Sequence, residues 1–178
     1  LRRNGRQKGV VGKLRNGKED TIMALELTSS AISANQPIPK MYTCEGEGIS
    51  PPLAWSGVLQ NTAVFALIVD DPDAPRGVFT HWVLFNLSGD ISQLEVSIPR
   101  SERLDNGASQ GRNDFGDIGY GAPCPPKGDA PHHYRFTLYA LDAPLLLDPG
   151  ATKQQALDAI QGHVLDQAQL VGTYARQG

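Results

Sequence analysis

Two short stretches hold most of the residues in this 178-residue chain whose types and spacing could do chemistry. The first, DDPDAPRGVFTHW over 70–82, sets Asp71 and Asp73 two residues apart, continues through Pro75 and Phe79, and reaches His81. The second, PCPPKGDAPHHY over 123–134, gathers Cys124, Pro126, His132, His133 and Tyr134. Three chemistries suit such a set. Protonated His81 or His132, the Tyr134 hydroxyl and loop N–H groups can donate to a phosphate oxygen. A carboxylate, which would repel that anion directly, can instead accept from an imidazole N–H, orient the ring and favour its charged form. Affinity for an anion would then rise as pH falls through the histidine range, ~6.5. Alternatively, Asp71, Asp73, His81 and His132 could ligate a metal, though no local spacing such as H-E-x-x-H is present. Cys124 near His132 is the one nucleophile–base pair available to a hydrolase, without a G-x-S-x-G elbow. The residue types thus leave open a non-catalytic anion pocket and, as the alternative, a metal-dependent or Cys-based hydrolase.

The elements that must position these residues read as strands. TAVFALIVD over 62–70 is a continuous apolar run of strand length, expected to be buried on both faces. After the acidic loop, VFTHWVLFNLSGD forms a second strand, in which strict alternation puts Phe79, His81, Val83, Phe85 and Leu87 on one face. In the later strand, HYRFTLYALD with His132 before it, the same rule puts His132, Tyr134, Phe136, Leu138 and Ala140 together and sends His133 to the other face. His81 and His132 each begin a strand directly after a Pro-rich loop. Adjacent antiparallel strands would hold their starts at opposite ends, so a shared site requires parallel strands or different sheets. Between the two motifs, residues 91–131 have too many Gly and Pro for a long helix and read as an ordered, turn-rich region. One helix is expected over TKQQALDAIQGHVLDQAQL (152–170), with Thr152 as N-cap and Leu157, Ile160, Val164 and Leu165 at helical spacing. The sum is a mainly β domain of two packed antiparallel sheets with a helix toward the C-terminus.

Composition excludes some partners. The net charge is −3, but residues 1–22 hold seven basic and two acidic residues, so the acidic excess lies from Met23 onward. A body of that sign does not attract nucleic acid or an anionic membrane through its overall field. The basic stretch 1–22 reads as an extension, with a single domain over 23–178. No run approaches the ~20 apolar residues of a membrane span, and without a secretory-type apolar run the default location is cytoplasmic. Cys44 and Cys124 are too few for a disulfide framework and too far apart for a C-x-x-C pair; two isolated buried thiols are favoured over a bridge.

DPDAP followed by THWVLFNL, and then GRNDFGDIGYGAPCPPKGDAPHHYRFTLYALD, resemble the phosphatidylethanolamine-binding protein family, and most of all its bacterial and archaeal Raf-kinase-inhibitor-like branch. YTCEGEGISPPLAWSG and GHVLDQAQLVGTY extend the resemblance from about Met23 to Tyr174. It implies an anion pocket formed by Asp71, Asp73, Pro75, His81, Pro126, His132 and Tyr134, with Phe79 as an aromatic lining residue and Cys124 within the PCPP usual in that branch. It also implies a two-sheet β fold with short helices, a cis Ala74–Pro75 bond, and neither catalysis nor an obligate metal or cofactor. The implied partners are a small phosphate-containing or other anionic ligand and a kinase or protease as protein target. Oligomeric state, a homodimer included, is left open. Glu47-Gly48 departs from the Glu-Asn common in relatives, which removes a polar side chain at position 48.

Overall fold

The computed structural model describes residues 23–178; the basic stretch 1–22 lies outside the described residues. The strands are β1 (Glu26–Thr28), β2 (Leu53–Ser56), β3 (Val64–Asp71), β4 (Phe79–Ser88), β5 (Gln93–Leu94), β6 (Ser109–Gln110), β7 (His132–Leu141) and β8 (Val164–Tyr174). A 3-10 turn covers Lys40–Tyr42, and one α-helix, α1, covers Lys153–Ile160. A three-stranded sheet in the order β1-β2-β5 packs on a five-stranded sheet in the order β6-β4-β3-β7-β8, and all pairings are antiparallel. The expected two-sheet β architecture is what forms.

The apolar run becomes β3, the central strand, and every residue of it is buried. Its two faces feed two cores. Phe65, Leu67 and Val69 join Leu27, Leu53, Trp55, Trp82 and Phe136 between the sheets. Val64 and Ala66 join Val83, Phe85, Ala156 and Ile160 beneath α1. A run that is apolar on both faces therefore reflects cover on both sides.

Strict alternation fails along β4. Two register shifts against β3 interrupt it, one between Phe65 and Leu67 and one between Val69 and Asp70. Trp82, Leu84 and Leu87 consequently lie in the core between the sheets, while Val83 and Phe85 lie under the helix. The expected single row from Phe79 to Leu87 is split, because each bulge inserts a residue and resets the two-residue period. The upper shift is stabilised at Asn86, which adopts φ 55° and exchanges side-chain hydrogen bonds with the backbone N–H and C=O of Leu145 at 2.7 and 2.9 Å.

The helix is shorter than its pattern predicts. Thr152 caps it as expected: its hydroxyl accepts from the Gln155 N–H, and the Gln155 side chain accepts from the Thr152 N–H. After Ile160, however, Gly162 adopts φ +81°, a left-handed turn that ends helices, and 164–174 continue as β8. Ten residue pairs bind β8 to β7, and that ladder outweighs the weak helical spacing of Val164 and Leu165. Gly172 is required within β8, since a Cβ there would sit 2.6 Å from Ile38 Cγ1.

The turn-rich region is ordered by two buried amides. Gln110 accepts from Trp82 Nε1 and donates to the carbonyls of Pro99 and Ser101, all at 2.7–2.8 Å. Asn113 Oδ1 accepts from the N–H groups of Phe115 and Asp117, and its Nδ2 donates to the Gly119 carbonyl. Cys44 and Cys124 form a disulfide, so the expectation of isolated thiols does not hold. They lie 80 residues apart in sequence, and no local spacing betrays the contact. The turn over 40–46 folds against residues 121–126, where the Cys44 N–H donates to the Pro123 carbonyl at 3.0 Å.

Candidate functional site

Both histidine-bearing strands are antiparallel to β3 and flank it, so β4 and β7 run parallel to each other and start at the same end. The requirement that alternation imposed on a shared site is met by the strand between them. The C-terminal end of β3 supplies Asp71, the start of β4 supplies Phe79 and His81, and the start of β7 supplies His132 and Tyr134. Together with Ala74, Pro75, Phe115, Cys124, Pro125 and Pro126 they line an open cavity of about 200 Å³.

His81 enters this cavity because it is the extra residue of a bulge. Val69 pairs with Trp82 and Asp70 with Thr80, which leaves His81 without a partner on β3. Bulges re-aim side chains in this way. Its Nδ1 donates to the Gly121 carbonyl at 2.7 Å, and the Gly121 N–H returns a 2.7 Å bond to the His81 carbonyl. The ring packs among Phe79, Phe115 and Tyr134 at centroid distances of 5.0, 5.5 and 5.2 Å. Burial lowers its pKa and outweighs the Gly121 hydrogen bond and the charges of Asp71, Asp114 and Asp70, which act the other way. A charged His81 donor, expected from the residue types, is therefore disfavoured near neutral pH.

His132 is placed differently. Its Nδ1 meets Asp71 Oδ2 at 2.7 Å and its Nε2 meets Asp129 Oδ2 at 3.1 Å. Two carboxylates, one facing each ring nitrogen, favour a ring that donates from both, the imidazolium. Burial opposes that charge, but the two carboxylates prevail and raise the His132 pKa. Asp71 has a partner on each oxygen in turn, because its Oδ1 accepts from the Asp73 N–H at 2.8 Å. Burial pushes the Tyr134 phenol up, and its hydroxyl has no hydrogen-bond partner among the described residues.

Of the residues expected here, Asp71, Pro75, Phe79, His81, Cys124, Pro126, His132 and Tyr134 line the cavity; Asp73 does not. Asp73 accepts from the N–H and Nδ1 of His133, which fastens the acidic loop to the start of β7. His133 is exposed, as alternation predicts. Ala74, Phe115, Pro125 and the orienting carboxylate Asp129 were not expected. Asp129 was legible as the only acid in the second motif, whereas Phe115 gave no signal beyond its aromatic type. The Ala74–Pro75 bond is trans, contrary to expectation. Pro75 occupies the second position of a turn closed by the Gly77 N–H to the Ala74 carbonyl, a position that favours trans proline. Cys124 Sγ is bonded to Cys44 and offers no thiolate, and among the described residues no three His, Cys, Asp or Glu side chains are set to share a metal ion.

Comparison with known proteins agrees with this architecture. The family model described as phosphatidylethanolamine-binding protein matches residues 28–175. A UPF0098 protein of Methanothermobacter thermautotrophicus is 51% identical over 152 residues, covering 85% of this chain and 99% of that protein. The structure of a phosphatidylethanolamine-binding protein homolog from Chlamydia trachomatis superposes with a TM-score of 0.79 at 45% identity, covering 86% of this chain and 99% of that one. Escherichia coli YbcL, described as a member of the mammalian family, gives 0.81 at 34% identity, with coverages of 87% and 100%. With this match in length, motif and fold, the chain belongs to the phosphatidylethanolamine-binding protein family.

Proposed function

We propose that the cavity binds the small oxyanion head of a ligand, a phosphate group above all, and that the protein acts by binding rather than by catalysis. One observation carries this reading. The two side chains that carry a polar atom with no hydrogen bond, His81 at Nε2 and Tyr134 at its hydroxyl, meet edge to face in the cavity at 5.2 Å, while each side-chain polar atom of Asp71 and His132 already has a partner. A volume of about 200 Å³ falls below the ~300–1,000 Å³ of sites that enclose a whole drug-sized molecule. It suits a head group whose remainder stays outside, where Val78 and Phe115 are half exposed. The Cys-based hydrolase reading is weakened because the only candidate thiol is in the disulfide.

The test is titration of the purified protein with inorganic phosphate and with O-phosphoethanolamine, followed by amide chemical shifts. Shifts clustered at 71–81, 121–126 and 132–134 are expected, and Tyr134→Phe should weaken binding about 10-fold. No shifts at millimolar ligand would refute the reading. The disulfide favours a compartment where such bonds persist, or the cytoplasm of a thermophile, over an ordinary reducing cytoplasm.

A further inference from the structure

We propose that His81 serves this cavity as a hydrogen-bond acceptor, so that the site takes oxyacids that still carry a proton, hydrogen phosphate above all, and rejects fully ionised ones such as sulfate. This rests on the oxyanion reading and specifies which oxyanions it covers.

The tautomer follows from geometry. A carbonyl oxygen can only accept, so the 2.7 Å contact with Gly121 places the His81 proton on Nδ1. A ring flip would break that bond. The partner cannot easily move away, because Gly121 is also tied to the His81 carbonyl and its loop is pinned to Cys44 through Pro123 and the disulfide. In the neutral ring Nε2 is then a bare lone pair. The surroundings keep the ring neutral: it is 3% exposed, and burial outweighs the pull of Asp71 and Asp70 from β3 and of Asp114 from the loop after β6. Tyr134 faces it from β7, and Phe79 and Phe115 carry no charge.

The remaining charges do not compensate. Both nitrogens of His132 are committed to carboxylates and both oxygens of Asp71 to donors. Two carboxylates against one imidazolium leave this cluster one negative charge in excess. A ligand oxyacid therefore meets an unpaired acceptor, His81 Nε2, beside the remaining lone pairs of Asp71, and one hydroxyl, Tyr134, which can donate to an ionised oxygen. Hydrogen phosphate satisfies both, since its P–O–H donates to Nε2 while another oxygen accepts from Tyr134. Sulfate has no proton near neutral pH and would set an oxygen lone pair against Nε2. Sites built to hydrogen-bond a hydroxyl discriminate strongly against analogues lacking it. When His81 protonates at lower pH, Nε2 becomes a donor and the distinction disappears.

The experiment is calorimetric titration of the full chain with phosphate and with sulfate at matched ionic strength, at about pH 7.5 and at a pH below the His81 midpoint read from NMR titration. Phosphate should bind at least ~10-fold more tightly at the higher pH, and the ratio should approach one at the lower pH as sulfate tightens. His81→Asn, whose amide can still donate to Gly121, should lose the preference. Nitrogen-15 spectra of the unliganded wild type should show His81 protonated at Nδ1 and bare at Nε2, a readout independent of any variant's folding. Sulfate binding as tightly as phosphate at pH 7.5, or a proton on Nε2, overturns the inference and leaves the oxyanion site standing. Binding of neither anion at either pH overturns the oxyanion reading, and this inference with it.

Discussion

His81 and His132 stand in the same cavity and are driven in opposite directions. Burial favours the neutral ring of His81 against its carbonyl hydrogen bond; His132 has two carboxylates, which favour the cation against burial. The two make opposite contributions to stability against pH. A histidine whose folded pKa is raised stabilises the fold fully below the unfolded value, ~6.5. That contribution disappears as pH rises through the higher folded value. His81, with a lowered folded pKa, costs stability as pH falls below ~6.5. We predict that Asp129→Asn, which removes one carboxylate from His132, lowers the pH at which His132 titrates. Proton NMR titration of the imidazole signals measures this directly, and an unmoved midpoint would show that Asp71 alone holds the charge. The two fates are not readable from residue type, because each depends on which atom faces each nitrogen.

At the scale of elements, the site is held by what fastens the strand ends. Asp70 lies on the opposite face of β3 from Asp71, where it accepts from Arg135 Nε of β7 at 2.7 Å and Lys153 Nζ of α1 at 2.6 Å. Burial alone would raise its pKa, but these two cations lower it overall. Its contribution is present above the ordinary carboxylate range and is lost as pH falls through the lowered value. Asp70→Asn should therefore destabilise the protein by about 2 kcal/mol near neutral pH and less in acid, as read from urea unfolding at the two pH values. Thr152→Ala, which removes a complete capping box, should cost ~1 kcal/mol by the same measurement. Local pattern announced the cap and the central strand well, since both depend on residues close in sequence. It overextended the helix past Gly162, where pairing with β7 decides the conformation. It also missed the bulge at His81, which exists only as a mismatch between two strands.

For the molecule as a whole, the disulfide joins two segments 80 residues apart, one of which forms a wall of the cavity. Cross-linking a loop of this length stabilises by about 4 kcal/mol through the unfolded chain. The double variant Cys44→Ser, Cys124→Ser should lose a comparable amount in chemical denaturation, and a loss under ~1 kcal/mol would mean that the unfolded chain already holds these segments together. The amino-acid sequence by itself determined the β class, the central buried strand, the helix cap and the two motifs that converge on the cavity. Each of these is written in periodicity or in residue types within a short span. Only the tertiary structure decided that β3 lies between β4 and β7 and so brings His81 and His132 to one end. The same is true of the Cys44–Cys124 bond, of the diversion of Asp73 to His133, and of the nitrogen of His81 that is left bare. These depend on contacts across tens of residues, where pairing and burial, rather than local pattern, set the free energy.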